Sequence, residues 1–538
     1  MSQPASTADV MAAALAAAGV PFVFGYPGDP IIEFMERCRQ REVDVVLARR
    51  EGSAGFMAEG YAMATGQVGA CLSTLGPGST ALVNSVAAAT LDRVPVVAIS
   101  GQVATAQEPF FTHQVVNHEA LYRPVTKWAG RMEAATAAVT MRKALRTATA
   151  ERPGAVHLSC AGDTFKAPAG GPAEVPPLGP PLSAGQVYRA PGASGDPAAQ
   201  LAAARRPVLL AGIGAVRCGA TPAVLRLAAA AGLPVVVSPM AKGIIPEDSE
   251  WFAGVLDMAC NDTVWDLLRG ADLVVAAGFD PVELIKPWTL TAPVLHVDTV
   301  PNTDQVYASD FEIVGDVGAA LDWLADGFPG HPRWSPAEVA AFRARLRAAY
   351  YAGRVAGRLN PTDVIDVARG VASRDTIVTT DVGSHKLLVG QGWQAMDPRS
   401  VLMTNGLSSM GFGIPAAIGA KLARPGQPVL SLIGDGGFAM AATEIRLAAA
   451  RRLGIAFVVF ADGSLNRIEL KQSALSYPST ATRIEDMDVV LMAQAMDCDG
   501  ARAESAAELE KCLAGLSGLT RPLIIEARID PAQYQSQF

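Results

Sequence analysis

Short apolar runs alternate with longer alanine-rich segments over almost the whole chain. The runs are continuous, rich in Val, Ile and Leu, and end in Gly, Asp or Ser, as in PVVAISGQ, RPVLLAGIG and QPVLSLIGDGG. Continuous apolar strands separated by helices are typical of parallel sheets that helices cover on both faces. The pattern therefore predicts an α/β fold of doubly wound parallel sheets, with ligands expected at the carboxyl ends of the strands.

Two stretches interrupt this alternation. Residues 168–199 are rich in Pro and Gly, and residues 329–358 contain three prolines before an arginine-rich helical segment. We predict both as linkers between an N-terminal domain (1–167), a central domain (200–328) and a C-terminal domain (359–538). Several domains are expected in a chain of 538 residues, because a single core rarely grows beyond about 250–300 residues.

Composition narrows the class of protein. The net charge of -8 argues against a nucleic-acid-binding protein. The seven cysteines include no C-x-x-C pair, so they predict neither a zinc site nor a disulfide framework. The N-terminal segment lacks a basic region, and no run of 18 apolar residues occurs. We therefore expect a cytoplasmic protein without a signal peptide or a membrane span.

The strongest chemical signal is a pair of carboxylates that follow two successive strands of the third domain. PVLSLI leads into the GDGG of residues 434–437, and one helical segment later IAFVVF leads into the ADGS of residues 461–464. Glycines beside Asp435 let backbone N–H groups approach an anion, and Mg²⁺ is usually held by one or two carboxylates completed by phosphate oxygens. The alternatives are a tight turn at Asp435 and a helix cap at Asp462. The pair at this spacing favours a Mg²⁺–diphosphate site.

Glu51 is a second candidate, at the junction between the strand VDVVLARRE and an Ala/Gly-rich helix. A carboxylate at this position also interacts favourably with the helix dipole, which is the structural alternative. The functional alternative is a partly buried acid with a raised pKa that exchanges a proton with a heterocycle.

Together these motifs resemble the thiamin-diphosphate enzymes of the acetolactate synthase and pyruvate decarboxylase superfamily. The likeness covers the whole chain and implies pyrimidine-binding, central Rossmann-like and diphosphate-binding domains. The family's metal motif is Gly-Asp-Gly followed one strand later by Asn-Asn. By that match, Asp435 and Asp462 bind Mg²⁺ by side chain and Ser464 by its backbone carbonyl. Glu51 matches the glutamate that hydrogen-bonds the aminopyrimidine ring and activates the cofactor.

The resemblance implies further contacts to thiamin diphosphate. Ser408 lies where a backbone carbonyl receives the pyrimidine amino group, and Met410 lies where an apolar wedge bends the cofactor, with a plain core role as the alternative. Gly383, Ser384 and His385 lie at a diphosphate-contacting loop, with a surface position as the alternative for His385. The remaining implied contacts belong to the metal motif: Gly434, Asp435, Gly436, Gly437, Asp462, Ser464 and Leu465.

Within the superfamily, the motifs FGYPGDPIIEF, FTHQ and SSMGFGIPAAIGA are most similar to acetolactate synthases. Gln114 matches the glutamine beside the thiazolium ring, and Phe111 lies nearby. This likeness implies a transferase or lyase that joins two pyruvates into 2-acetolactate and CO₂, in branched-chain amino acid biosynthesis. The central domain is more similar to the flavin-free catabolic enzymes. The glycines of AGIGAVRCG (Gly212, Gly214 and Gly219) nevertheless leave FAD open as a further cofactor.

Several positions depart from the family pattern. The metal asparagine is replaced by Asp462, which adds a negative charge beside a diphosphate, and Arg50 stands where a histidine usually precedes the acid. A Gly-Gly pair is Gly28-Asp29 here. Aspartate at this place is typical of simple 2-keto acid decarboxylases, where it helps to protonate the enamine; the tandem histidine of those enzymes is absent here. His113 is the candidate partner, and a helix cap is the alternative for Asp29.

Arg467 and Lys471 follow the metal motif and are four residues apart on a predicted helix, so both can face the same space. We hypothesise that they hold an extra anionic group of the substrate, such as a carboxylate, a sulfonate or an acyl-CoA. A solvated helix face is the alternative.

The sequence thus predicts a thiamin-diphosphate- and Mg²⁺-dependent carboligase of the acetolactate synthase type, acting on a small 2-keto acid. A 2-keto acid decarboxylase, a 2-hydroxyacyl-CoA lyase and a non-catalytic cofactor-binding paralogue are the alternatives. In this family Glu51 of one subunit meets the Asp435 site of another, which implies a homodimer or homotetramer. The low charged fraction of 18% agrees with surface hidden between subunits. Nucleic acids and membranes are not expected as partners.

Overall fold

The computed structural model describes residues 5–169, 186–190 and 192–538. They form three α/β domains in succession, each built on one sheet, of which the first and third are wholly parallel and the central one is parallel except for one edge strand. The fold class predicted from the apolar runs is therefore confirmed. In the described part of the chain, no helix combines the length and apolar character needed to cross a bilayer.

The first sheet has six strands, all parallel. Its strands are β1 (Phe22–Gly25), β2 (Asp44–Leu47), β3 (Gly69–Ser73), β4 (Val96–Gln102), β5 (Trp128–Arg131) and β6 (Ala155–Ala161). The helices of this domain are α1 (Thr7–Ala17), α2 (Ile32–Gln40), α3 (Glu51–Thr65), α4 (Pro77–Leu91), α5 (His118–Tyr122), α6 (Ala137–Thr149) and α7 (Gly162–Lys166). The spatial order β2-β1-β3-β4-β6-β5 brings the carboxyl ends of β1 to β4 to one edge of the sheet.

The central sheet has seven strands in the order β10-β9-β8-β11-β12-β13-β7. They are β7 (Gln186–Arg189), β8 (Pro207–Ala211), β9 (Val235–Val237), β10 (Phe252–Val255), β11 (Leu273–Ala277), β12 (Val294–Asp298) and β13 (Ser309–Val314). The helices are α8 (Pro197–Ala203), α9 (Ile213–Arg217), α10 (Thr221–Ala231), α11 (Asn261–Arg269) and α12 (Val317–Asp326). The edge strand β7 is antiparallel to β13, whereas the other pairs are parallel.

The third sheet has six strands, all parallel, in the order β15-β14-β16-β17-β19-β18. They are β14 (Ile377–Thr380), β15 (Val401–Met403), β16 (Val429–Gly434), β17 (Ile455–Ala461), β18 (Asp499–Ala503) and β19 (Leu523–Arg528). The remaining helices are α13 (Pro336–Tyr350), α14 (Pro361–Val371), α15 (Ser384–Gly392), α16 (Gly413–Ala423), α17 (Asp435–Ala441), α18 (Ile445–Ala450), α19 (Asn466–Ala474), α20 (Val489–Ala495) and α21 (Ala506–Leu513).

The two stretches predicted as linkers contain regular structure. In the first, 168–199, the strand β7 and the start of α8 are present, while residues 170–185 and 191 lie outside the described residues. The second, 329–358, contains α13, which begins with a capping box. Glu338 N–H donates to the Ser335 hydroxyl at 3.3 Å, and Ser335 N–H donates back to the Glu338 carboxylate at 2.9 Å. The predicted helical segment of this stretch is thus stabilised at its start.

The described residues form two compact units. The first contains those within Met1–Pro180, Leu407–Gly426 and Met440–Leu453, and the second contains those within Pro181–Gly406, Gln427–Ala439 and Gly454–Phe538. The central and third sheets thus lie in one unit and share one continuous apolar core. In the first unit α3 crosses α16 closely, because Gly60 faces the Ala416 backbone and Gly419 faces that of Met57. A side chain at either glycine would push the helices apart.

Candidate active site

Three carboxylates follow neighbouring strands at one edge of the third sheet. Asp381 comes directly after β14, Asp435 after β16, and Asp462 after β17. Since β14 and β17 pair in parallel with the two sides of β16, the three carboxyl ends meet at this edge. The strands themselves are almost entirely buried, which fixes the turns that follow them.

Asp435 lies at the N-terminus of α17 and is only 9% exposed. Its carboxylate accepts hydrogen bonds from the backbone N–H groups of Gly436 at 2.8 Å, Gly463 at 2.7 Å and Asp462 at 3.2 Å. One side chain therefore joins the turn after β16 to the turn after β17. Burial raises the pKa of Asp435, although these N–H groups favour its charged form.

Asp462 is the second carboxylate of this pair, and its side chain accepts the Ser464 N–H at 3.1 Å. Burial, and then the negative charge of Asp435, raise the pKa of Asp462 to about 7. A buried carboxylate whose charged form is destabilised by a second carboxylate forms a site that gains from a divalent cation. Within residues 5–169, 186–190 and 192–538, no cluster of three or more His, Cys, Asp or Glu side chains forms a complete metal site. The pair fits Mg²⁺ if backbone and diphosphate oxygens supply the remaining ligands.

The loop that follows β17 is held by the segment around Arg483. Leu465 N–H donates to the Thr482 carbonyl at 2.7 Å, and Ile484 N–H donates to the Gly463 carbonyl at 3.0 Å. The Ser464 hydroxyl donates to the Glu469 carboxylate, which also forms a 2.7 Å ion pair with Arg483. This support fixes the backbone around Ser464, whose carbonyl is the predicted third protein ligand to the metal.

His385 is buried rather than exposed, so the surface position considered for it is wrong. Its ring stacks on Phe460 with 5.4 Å between centroids and lies against Gly383 and Gly434. Burial lowers the pKa of His385 to about 3, so the ring is neutral and packs between the two turns. The neighbouring Ser384 hydroxyl, also at this edge, donates to Asn466 at 2.9 Å.

Two residues at this edge, Asp381 and Tyr534, were not predicted from the sequence. Asp381 is fully buried, and a Cβ on Gly437 would lie 2.7 Å from its carboxyl carbon, so Gly437 allows the GDGG turn to approach it. A usable signal existed, because Asp381 follows TIVTT just as Asp435 follows PVLSLIG. Tyr534 is 1% exposed, and its pKa is raised by burial and by the charges of Asp462 and Asp435. No local pattern could have placed Tyr534 there.

Arg467 and Lys471 both lie on α19, the helix that leaves the metal loop. Lys471 is exposed, whereas Arg467 is half-buried and its guanidinium carbon lies 4.5 Å from the centre of the Phe538 ring. Glu469 between them is engaged by Ser464 and Arg483. Neither cation forms an ion pair with a carboxylate of the described residues.

A second group of predicted residues lies at the carboxyl edge of the first sheet. Glu51 begins α3 after β2 and is partly buried. Its carboxylate faces the first turn of α4, where a Cβ on Gly78 would lie 2.8 Å from Glu51 Oε1. The adjacent Ser79 carbonyl accepts a 2.5 Å hydrogen bond from the buried Tyr122 hydroxyl, which fixes this turn. Glu51 therefore faces a rigid surface.

The other first-domain candidates follow β1 and β4. Gln114 has a φ of 59° and packs its backbone on Gly76, whose own φ is 47°; a Cβ there would lie 2.6 Å from the Gln114 carbonyl oxygen. Asp29, Phe111 and His113 are exposed, and the rings of Phe111 and His113 meet edge to face. Asp29 is the first residue of a 3₁₀ turn. Neither this turn nor the helix α2 that follows it has a side-chain cap, so the helix-cap role is not observed.

Ser408 and Met410 lie in the turn before α16, in the same compact unit as the first sheet. Ser408 has a φ of 53°, and the half-buried Met410 is not a core residue. The Asn84 side chain of α4 donates a 2.7 Å hydrogen bond to the hydroxyl of Ser409, which lies between Ser408 and Met410, and so fixes this turn.

Two of the three glycines in AGIGAVRCG, Gly212 and Gly214, are needed for close packing within the central domain. A Cβ on Gly212 would strike the Phe279 backbone, and one on Gly214 would lie 2.8 Å from Gly278 Cα. The Ile213 N–H at the start of α9 donates at 3.0 Å to the buried Glu283 carboxylate, which also accepts from the Ser238 hydroxyl. The place where a nucleotide phosphate would approach is thus occupied by a carboxylate of the chain.

Comparison with known proteins agrees with the geometry. Three family models match: "Thiamine pyrophosphate enzyme, N-terminal TPP binding domain" at residues 5–122, the central domain of the same enzymes at 196–324, and their "C-terminal TPP binding domain" at 381–527. The chain is 30% identical to a catabolic acetolactate synthase of Raoultella terrigena, over 98% of this chain and 96% of that protein. It is 27% identical to an acetolactate synthase of Bacillus subtilis, over 97% and 93%. It is 31% identical to a probable 2-ketoarginine decarboxylase of Pseudomonas aeruginosa, over 96% and 92%. The chain therefore belongs to the thiamine pyrophosphate enzymes, and it is a thiamine-pyrophosphate-dependent enzyme of the transferase or lyase type.

Proposed function

We propose that this enzyme is a carboligase of the acetolactate synthase type, which joins two small 2-keto acids with loss of CO₂. The observation that carries the proposal is the pair Asp435 and Asp462 at adjacent strand ends, together with the acetolactate synthases among the relatives. Pyruvate as both donor and acceptor is the first choice, with a role in branched-chain amino acid biosynthesis. Thiamin diphosphate, when bound, supplies the nucleophilic carbon that attacks the keto group.

The diphosphate end of the cofactor and Mg²⁺ are assigned to the edge of the third sheet. Asp435, Asp462 and the Ser464 carbonyl would hold the metal, and diphosphate oxygens would complete its coordination. The further contacts in this assignment are Gly383, Ser384, His385, Gly434, Gly436, Gly437 and Leu465. FAD is left out of the proposal because Glu283 fills the corresponding edge of the central sheet.

The pyrimidine end of the cofactor is assigned to Glu51, the Ser408 carbonyl and Met410. Glu51 donates a proton to a pyrimidine ring nitrogen and so controls activation of the cofactor. We propose that Glu51 of one subunit serves the Asp435 site of a second copy, in a homodimer or homotetramer. All seven cysteines are free thiols, which supports a reducing, cytoplasmic location.

Substrate handling is assigned to residues at strand ends and on α19. Gln114 orients the reacting groups, and Phe111 provides an apolar wall. Asp29 and His113 donate and accept protons. Arg467 and Lys471 attract the extra anionic group of a donor or acceptor other than pyruvate, because neither cation is paired with a described carboxylate.

Non-oxidative decarboxylation is the second candidate function. Asp29 is exposed at the end of β1 and does not cap a helix, so its carboxyl is free to protonate a product. One relative is named as a probable 2-ketoarginine decarboxylase. Cleavage of a 2-hydroxyacyl-CoA would use the same residues.

Mass spectrometry of the products separates these reactions. Purified enzyme with thiamin diphosphate and Mg²⁺ is given a panel of 2-keto acids, with and without aldehyde or keto acceptors. Carboligation predicts 2-acetolactate from pyruvate alone, whereas aldehyde as the main product favours the decarboxylase. Glu51→Gln is the matched control and should abolish either product. No turnover of any 2-keto acid would contradict the proposal.

The shared site is tested by mixing two inactive variants, Glu51→Ala and Asp435→Ala, after reversible dissociation. Each mixed dimer has one site with both residues intact, so about a quarter of wild-type activity should return. If the variants exchange subunits but activity stays absent, Glu51 and Asp435 of the same chain serve one site.

A further inference from the structure

Arg467 is a cation that is held in place by its surroundings but forms no ion pair with a described carboxylate. Arg467 is half-buried on the first turn of α19, immediately after the metal loop, and burial lowers its pKa. Within the described ranges no carboxylate pairs with it, and the nearby Glu469 is already engaged by Arg483 and Ser464. A half-buried guanidinium without an ion-pair partner keeps N–H donors that an anion can reach, and charge-assisted hydrogen bonds to an anion are stronger than those to water.

Phe538 is the side chain that contacts this guanidinium, 4.5 Å from its carbon to the ring centre. A planar guanidinium with one face against a ring keeps its N–H edge free for bidentate contact with a carboxylate, sulfonate or phosphate. Phe538 therefore restricts the orientation of Arg467 without using any of its donors.

Phe538 is itself held by a rigid segment. Its ring stacks on the buried Tyr534 with 6.1 Å between centroids. The neighbouring Gln537 donates to the Tyr350 and Ala352 carbonyls at 3.0 and 3.1 Å, and it accepts the Cys260 thiol at 3.2 Å. Residues 531–538 are thus fastened to the end of α13, and they carry Tyr534 next to the metal carboxylates.

We propose that Phe538 is a positioning residue that fixes the Arg467 guanidinium for a second, distal anionic group of the substrate. The inference rests on the proposed function, because it takes Arg467 as part of the substrate site. It adds that donor or acceptor selectivity depends on a residue far away in the sequence that does not touch the substrate.

Two probes of equal chain length isolate the distal charge: 2-oxoglutarate, which has a second carboxylate, and 2-oxopentanoate, which does not. Their inhibition constants against pyruvate turnover are measured on the holoenzyme, and calorimetry measures their binding directly. In Phe538→Leu we expect 2-oxoglutarate to bind roughly five- to tenfold more weakly, with 2-oxopentanoate and the kcat for pyruvate almost unchanged. Phe538→Tyr keeps the ring and should restore wild-type binding.

The controls distinguish this inference from the proposed function. The affinity for Mg²⁺–thiamin diphosphate, followed by tryptophan fluorescence, should be the same in both Phe538 variants, which reports that the site is intact. If neither wild type nor Arg467→Ala binds 2-oxoglutarate more tightly than 2-oxopentanoate, the anion site of the proposed function is wrong. If Arg467→Ala loses the preference for 2-oxoglutarate and Phe538→Leu keeps it, Phe538 has no positioning role. Equal weakening of both probes in Phe538→Leu would also overturn the inference, because it indicates general disruption.

Discussion

The central and third sheets have the same architecture but treat their carboxyl edges in opposite ways. In the central sheet, the turn after β8 presents Gly212 and Ile213 to Glu283, and the backbone of Phe279 fills the remaining space. In the third sheet, the turn after β16 places Asp435 across the edge, with its carboxylate held by three backbone N–H groups.

The difference lies in which groups meet the backbone N–H groups after each strand. Gly212 lets one part of the chain approach another, and the buried carboxylate of Glu283 satisfies the N–H group of Ile213 that a phosphate would otherwise bind. At the third sheet, the partner of Asp435 in the next turn is Asp462, a second carboxylate. At the central edge a carboxylate satisfies the backbone donors, whereas the third edge carries two carboxylates that a cation would stabilise. Each variant below changes one edge and should leave the other intact.

Asp435→Ala should have the largest effect, and it should act on the cofactor. It removes one of the two carboxylates available to the metal and unties the turns after β16 and β17, so we expect thiamin diphosphate affinity at fixed Mg²⁺ to fall by about 1000-fold or more. Fluorescence titration of the apoenzyme measures this loss. Thermal unfolding of the apoenzyme is the control: the variant should still unfold cooperatively, although at a lower temperature, because three backbone N–H groups lose their acceptor. Retained cofactor affinity would place the metal elsewhere.

Glu283→Ala is the matched change at the central edge, and it should act on stability. It removes a buried carboxyl and leaves the Ile213 N–H and the Ser238 hydroxyl without their acceptor, which should lower the free energy of unfolding by about 3 kcal/mol. Denaturant unfolding gives the value. Cofactor affinity of the folded variant should equal that of wild type, and a specific loss of affinity would mean that the two edges are not independent.

The sequence predicted the residues at the carboxyl edge of the third sheet better than those at the edge of the central sheet, for a physical reason. Asp435 and Asp462 each follow an apolar strand directly, so strand order alone brings them together. Glu283 acts on Ile213 and Ser238, which are distant in sequence and meet only in the folded sheet.

The same limit applies elsewhere in the molecule. The contacts of Phe538 with Arg467 and of Tyr122 with Ser79 depend on side-chain packing, for which a linear pattern has no signal. The segment QVYR of β7 contains Val and Tyr, which favour strands, but it lies in a stretch dominated by Pro and Gly. Its position as an antiparallel edge strand depends on pairing with β13.

Glu283→Gln should have a smaller effect that depends on pH. Burial raises the pKa of Glu283 from 4.5 to about 7 in the folded state. Between those values the folded protein holds a proton that the unfolded chain has released, so the stability contributed by the protonated carboxyl is complete below pH 4.5 and is lost as pH rises to about 7. Glutamine does not titrate, so the unfolding free energy of the variant should lack this decline, whose slope is at most about 1.4 kcal/mol per pH unit. Parallel curves for wild type and variant would show that Glu283 does not titrate in this window.

Asp462→Asn should have the smallest effect, and it asks how much negative charge the third edge tolerates. The Asn oxygen can still bind a cation and still accept the Ser464 N–H, while the repulsion between this side chain, Asp435 and a diphosphate disappears. We therefore expect thiamin diphosphate to bind at least as tightly as in wild type, with a gain of no more than about tenfold at saturating Mg²⁺. Asp462→Ala is the control, because it removes the charge and the metal ligand together and should weaken binding. If the Asn and Ala variants weaken cofactor binding equally, the charge of Asp462 is itself required. The third edge would then need two anions to hold its cation, whereas the central edge needs only one carboxylate to satisfy its backbone N–H group.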